Sequence, residues 1–161
     1  FGNDTADAQI VVDTSSISIL YYKEILESKT VIGQNLKFDL AFLYNYNIKP
    51  RKIYDTMIVE QLLHLGYPSG TISYSLKAIA DRRLGINIDK TVRGEIIWRG
   101  LDTSVILYAA GDVMHLEKIV KSQMVDLRKQ GLMKAAKLEC DFIPSLTYME
   151  WCGILLDENK W

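Results

Sequence analysis

The chain is predicted to be an α/β layered domain, on three observations. Short apolar β-branched runs alternate with segments of helical period, turn and capping residues fall between them, and 161 residues with 48% hydrophobic content supply one core of that size. No internal repeat or low-complexity stretch interrupts the pattern, and Pro50, Pro68 and Pro144 do not cluster into a linker.

Taken in order, Ile10 to Val12 is a β-branched run closed by Asp13 and Thr14 and predicts a strand. Ser16 to Glu27 places Ile17, Leu20, Tyr21 and Ile25 near helical spacing. Thr30 to Ile32 predicts a second strand, and after Gly33 the segment Leu36 to Tyr46 repeats apolar residues at Leu36, Leu40 and Leu43. Lys52 to Tyr54 repeats the plan: Asp55 is placed to cap a helix with Ile58, Leu62 and Leu65 on its apolar side, ending at Gly66. From Ser73 or Ser75 to Leu84 another capped helix is predicted, and Gly85 to Gly100, with no sustained period, reads as a long surface loop. Asp102 can cap the longest helix, with an apolar line through Val105, Ala109, Val113, Leu116, Val120, Met124 and Leu127 and Gly131 past its end. A last helix, about Leu132 to Cys152, is predicted to bury Ala135, Leu138, Phe142, Leu146 and Met149 and to stop at Gly153.

Composition narrows the function. Nineteen basic residues against twenty acidic ones give a net charge of −1, so any nucleic-acid contact must be local or metal-assisted. No run nears the ~18 apolar residues of a membrane helix, so no membrane partner is expected. Cys140 and Cys152 provide neither a disulfide framework nor a ligand cluster, which fits a reducing, cytoplasmic setting. The opening FGNDTADAQ lacks the features of a signal peptide, and the start at Phe1 reads as a cut.

Two residue pairs could carry chemistry. Tyr108 and Asp112, four apart on the longest predicted helix, share a face beside its apolar line. A carboxylate there suits a divalent ion and a phenol can orient attacking water, but a surface hydrogen bond between the two is the plainer alternative. Gly111 between them costs about 1 kcal/mol in a helix, a cost that makes sense where something must come close. Asn35 and Asp39 lie where a strand gives way to a helix, the usual ligand edge of an open α/β sheet. They could equally be a cap and a dipole complement. Asp55 reads as a simple N-cap. His64 and His115 have no acidic or cysteine partner at ligand spacing, and Lys90, Arg93, Trp98 and Arg99 could contact a phosphate backbone or form a solvated loop.

Read together, VIGQNLKFDLAFL (Val31 to Leu43), DTMIVEQLL (Asp55 to Leu63) and YAAGDV (Tyr108 to Val113) resemble the 3′-5′ exonuclease domains of DNA polymerase I. These form the tyrosine branch of the four-carboxylate exonucleases, which also holds ribonuclease D and the Werner-type enzymes. The resemblance spans nearly the whole chain from about Gln9. It implies a ribonuclease H-like exonuclease fold, a mixed sheet flanked by helices, here truncated at its N-terminus.

Residue by residue, the resemblance implies that Asp39 is the carboxylate of the second motif and that Tyr108 and Asp112 form the third. Asn35 contacts the substrate strand with help from Gln34. Asp112 is then the ligand of the tighter ion, Asp39 reaches the second largely through water, and Tyr108 orients the nucleophile. Two Mg²⁺ or Mn²⁺ ions roughly 3.5 to 4 Å apart are implied, flanking the scissile phosphorus. The family's first motif, Asp-x-Glu, does not occur in this sequence, since Asp4 and Asp7 are not in it, and the chain alone is expected to be inactive or nearly so. The stretch LECDFIPSLTYMEWCGILLDENKW (Leu138 to Trp161) resembles the passage from exonuclease into polymerase, with Met149, Glu150, Gly153 and Asp157 at matching places. The implied division is an exonuclease domain over residues 1–131 and a connecting helix with the start of a polymerase domain over 132–161. The implied substrate is the 3′ end of single-stranded DNA, with a downstream polymerase domain as partner. A ribonuclease D-like RNA exonuclease and a catalytically silent structural domain are the alternatives.

Overall fold

A computed structural model of the protein describes residues 1–2, 8–88, 102–157 and 159–160. The Lys90, Arg93, Trp98 and Arg99 group, and Asp4 and Asp7, lie outside the described residues. Within them run a 3-10 turn Ile19–Tyr22, α1 Lys23–Ser28, β1 Thr30–Gly33, α2 Leu36–Asn45, β2 Lys52–Asp55, α3 Thr56–Leu63, α4 Leu76–Leu84, α5 Thr103–Met114, α6 Leu116–Lys129 and α7 Met133–Cys152.

β1 and β2 pair in parallel, Thr30 opposite Lys52 through Gly33 opposite Asp55. Both strands therefore end at one edge of the sheet, and α2 and α3 both begin there. The main core lies between this pair and the helices: Leu36, Leu40 and Tyr44 of α2 meet Ile53 of β2, Val59 of α3, Leu127 of α6 and Ile143 of α7. A second cluster joins Ile79 and Ala80 of α4 to Leu116 and Ile119 of α6. The helix α7 packs on α2, α3 and β2, so the segment that the sequence reading assigns to a connector is part of the same core.

Several expectations change. The strand predicted at Ile10 to Val12 is instead a single antiparallel bridge, Gly2 with Gln9, flanked by the Ile10 N–H donating to the Phe1 carbonyl at 2.7 Å. A ladder extends only as far as its partner does, and among the described residues Val11 and Val12 have no neighbouring strand to bond. The segment predicted as one helix from Ser16 to Glu27 opens as a 3-10 turn capped by Ser18. The longest predicted helix is two, α5 and α6, broken at His115, and α7 with its twenty residues is the longest among the described residues.

The buried sides of three helices also differ, wholly or in part, from the prediction. In α7 they are Ala136, Cys140, Ile143 and Thr147, while Leu138, Phe142 and Met149 face outward. At the chain's first helical segment Ile19 and Leu26 are buried and Ile17, Leu20, Tyr21 and Ile25 are exposed. In α3 Thr56, Val59 and Glu60 are fully buried, Ile58 and Leu62 pack against the core as predicted, and Leu65 is exposed. The first helical segment and α7 each carry two apolar stripes about one residue apart, and a helical period gives spacing but not which of two stripes meets the core.

Candidate active site

The sheet edge where β1 and β2 end is built around one carboxylate. Asp55, 1% exposed, accepts at Oδ1 from the N–H groups of Met57 (2.8 Å) and Ile58 (3.3 Å), capping α3 as predicted. It also reaches across to α2. The Asn35 N–H donates to Oδ1 at 3.0 Å and the Leu36 N–H to Oδ2 at 2.7 Å. Parallel pairing in register, Gly33 beside Asp55, brings the two helix starts within reach of a single side chain. Four N–H groups that neither helix can satisfy internally are thus paired, and the positive ends of two helix dipoles surround the charge.

The turn from β1 into α2 is held residue by residue. At Gly33 a Cβ would lie 2.3 Å from Leu36 Cδ2, so only glycine lets the Leu36 side chain close over the turn. The Gly33 carbonyl accepts from Thr56 Oγ1 at 3.0 Å. Gln34 spends both ends of its amide on the protein, donating from Nε2 to the Tyr74 carbonyl at 2.8 Å and accepting at Oε1 from Thr56 Oγ1 at 2.5 Å. Asn35 then sits at φ 59°, the left-handed region that Asn tolerates better than most residues. Its side chain caps neither helix. The structural alternative of an Asn35 cap is thereby replaced: Asp55 performs that task from the neighbouring strand.

Asp39 follows in the first turn of α2, exposed to solvent. Protein packed about its carboxyl partly desolvates it and pushes its pKa up, its own backbone bond pulls it down, and the nearby Asp55 charge raises it further. Asn35 also lines a cleft of about 350 Å³ between α2 and α7, with Phe38, Lys37, Glu150 and Trp151 around it. Lys37 and Glu150 pair across it at 3.0 Å. Of this lining the sequence reading named Asn35 and Glu150 but not Phe38 or Trp151; the exposed pair Phe38 and Phe42, four apart and in edge contact, is the signal that could have found one wall.

Tyr108 and Asp112 lie on one side of α5, both half-buried and both engaged in contacts within the fold. Asp102 caps that helix through the Val105 N–H at 2.9 Å. Gly2 passes beside it, with Val113 Cγ2 3.6 Å from where a Gly2 Cβ would stand. A Cβ on Gly111 would meet nothing within 4 Å, so no described protein atom demands the glycine, and the space beside it is open. His64 donates from Nδ1 to the Glu60 carbonyl at 2.8 Å, and the buried His115 Nδ1 has no partner among the described residues, so neither belongs to the pairs above.

Asp39 and Asp112 offer the hard oxygen donors that Mg²⁺ or Mn²⁺ prefer. Among the described residues no three His, Cys, Asp or Glu side chains converge as an ion site. Two carboxylates do not close a two-ion centre, so the residues present fit it only in part.

Comparison with known proteins points one way. A family model described as 3′-5′ exonuclease matches residues 2–127. The chain is 35% identical over 99 residues to DNA polymerase I of Aquifex aeolicus, covering 60% of this chain and 16% of that protein. It is 31% identical over 110 residues to ribonuclease D of Haemophilus influenzae, covering 68% and 26%. The chain therefore spans well under a third of either relative. Among solved structures, Brucella melitensis NrnC superposes with a TM-score of 0.71 at 24% identity over 81% of this chain and 64% of that one. The same protein is known with bound Mg²⁺ (TM-score 0.69, 24% identity, 83% and 64% covered) and bound to pGG (0.71, 24%, 84% and 65%). The fold is the ribonuclease H-like exonuclease fold that the sequence predicted.

Proposed function

The chain belongs to the 3′-5′ exonuclease family, and from that premise we propose that it is the proofreading module of a DNA polymerase I type enzyme. Its substrate is the frayed 3′ end of single-stranded DNA, cleaved to nucleoside monophosphates. The observation that carries the reading is the held turn at the β1 exit, where Asn35, kept left-handed and uncommitted to any cap, opens the helix that bears Asp39. Similarity to DNA polymerase I and the LECDFIPSLTYMEW tail support the polymerase connection.

In this reading Asn35 binds the terminal nucleotide and Gln34 positions it, being tied to Tyr74 and Thr56. Asp39 and Asp112 hold divalent ions together with an Asp-x-Glu pair that this sequence does not contain. When bound, such ions lower the pKa of water and stabilise the departing 3′ oxygen. The Tyr108 hydroxyl orients the attacking water by hydrogen bonding. Residues 1–131 carry the exonuclease motifs, and 132–161, whose helix α7 packs on the same core, lead toward a polymerase part, in a reducing cytoplasm.

The RNA-trimming reading has a specific support, the similarity to ribonuclease D over 68% of the chain. One assay separates the two. Mg²⁺- or Mn²⁺-dependent release of a 3′-terminal label is followed on single-stranded DNA and RNA, for this chain and for a version with an Asp-x-Glu strand joined ahead of Phe1. Each is paired with its Asp112→Ala variant. The extended chain is expected to degrade DNA, the substitution to reduce the rate to background, and the chain as it stands to be nearly inert. Preference for RNA would move the assignment to the ribonuclease D type. A folded, extended chain inert on both makes the domain structural.

A further inference from the structure

The capping carboxylate at the sheet edge does more than end a helix. An N-cap for α3 needs only the two bonds from Met57 and Ile58, yet Asp55 makes two more to the other helix and is 1% exposed. Among the described residues no Lys, Arg or His forms an ion pair with it. Burying an unpaired carboxylate is costly, and the cost is offset by hydrogen bonds and helix dipoles alone. What that arrangement fixes is the Asn35 backbone: its N–H is held by Asp55 while its carbonyl accepts from the Phe38 N–H at 3.1 Å.

We infer that Asp55 is a positioning residue for substrate: by capping α2 and α3 together it fixes the left-handed Asn35, so that the Asn35 side chain lines the cleft between α2 and α7 where a nucleotide strand enters. The inference rests on the reading of Asn35 as a substrate contact. Without the bonds from Asp55, a left-handed non-glycine residue relaxes toward ordinary φ values. The side chain then swings away from the Phe38 and Trp151 walls of the cleft.

The test is a double-mutant cycle on the full chain, with affinity for a single-stranded oligodeoxynucleotide read by fluorescence anisotropy. Asp55→Ser keeps a hydroxyl able to cap α3 but too short to reach α2. Asn35→Ala and Asp55→Ser are each expected to weaken binding about tenfold, and the double variant about tenfold rather than a hundredfold, as groups acting through one contact do. Amide exchange should quicken at Asn35 and Leu36 and stay slow at Met57 and Ile58. In the extended chain, Asp55→Ser should raise KM and leave kcat nearly unchanged, a split that a general loss of fold does not give.

Losses that multiply in the double variant would overturn the inference, because Asp55 would then act on the fold as a whole, as would unchanged binding in Asp55→Ser. If the serine variant does not fold, Asp55→Thr, a second short N-cap, replaces it in the cycle; failure of both to fold assigns Asp55 to folding alone. Unchanged binding in Asn35→Ala removes the substrate contact and this inference with it, yet leaves the exonuclease reading standing if Asp112→Ala still abolishes hydrolysis.

Discussion

Asp39 illustrates what a single residue can disclose. Were it only a complement to the α2 dipole, its charge would be favoured in the fold; instead desolvation of its carboxyl leads the balance and raises its pKa. A carboxylate whose folded pKa lies above its unfolded one binds more protons when folded, so it adds stability at low pH and subtracts it as pH rises through the folded value. With a chelator present, Asp39→Asn is therefore expected to raise the melting temperature at neutral pH, and the gain should vanish below about pH 4, where both states are protonated. A loss of stability on that substitution restores the dipole role. Glu60 is a second case, fully buried on α3 and reached by Arg82 (2.8 Å), Arg83 and Gln123 (2.8 Å). Arg83 also bonds Asp126 at 3.0 Å, and Arg82 donates to the Ser73 carbonyl at 2.7 Å, so one carboxylate ties α3, α4 and α6 together. Glu60→Ala leaves the nearly buried Arg83 guanidinium with only the more exposed Asp126 as counter-charge and should cost about 3 kcal/mol in urea unfolding. The sequence concealed this, since glutamate on a helix normally marks the solvent side.

Among elements, the junction between α5 and α6 matters most, because α5 carries Tyr108 and Asp112. No proline breaks the apolar line there. The break falls at His115, whose φ of −101° and ψ of −8° leave the helical register while its Nδ1 is buried with no partner among the described residues. Burial, with Lys118 as a smaller influence, lowers its pKa. A histidine held neutral in the fold binds fewer protons than in the unfolded chain. Stability from this group is complete above the ordinary value near 6.5 and is lost as pH falls below it. His115→Gln is expected to flatten the stability profile between about pH 7 and 5, measured by chemical denaturation at each pH. An unchanged slope would show that the junction does not depend on the imidazole.

For the whole molecule, the outward stripe of α7 is the largest departure from expectation. Leu138 is 70% exposed, and past Gly153 Leu155 is 99% exposed. Core positions and surface positions respond differently to polar substitution, so the facing of α7 can be read from stability. Leu138→Ser and Phe142→Ser are expected to change unfolding free energy by about 0.5 kcal/mol or less, whereas Ile143→Ala should cost roughly 2 to 5 kcal/mol. The reverse ranking would return the helix to the face that the sequence suggested. Among the described residues no helix is long and apolar enough to cross a membrane.

By itself the sequence determined the alternation of β1, α2, β2 and α3, the caps at Ser75, Asp102 and Gly153, the exonuclease family and the candidate pairs Asn35 with Asp39 and Tyr108 with Asp112. These are local properties: spacing, cap chemistry and motif order are written along the chain. Only the tertiary structure decided which stripe of α7 is buried, that Glu60 gathers two arginines, and that Asp55 caps a helix other than its own. The last two outcomes depend on residues 19 to 23 positions apart meeting in the fold. A one-residue choice of face, or of partner, is settled by what packs opposite, which the period of a single segment cannot encode.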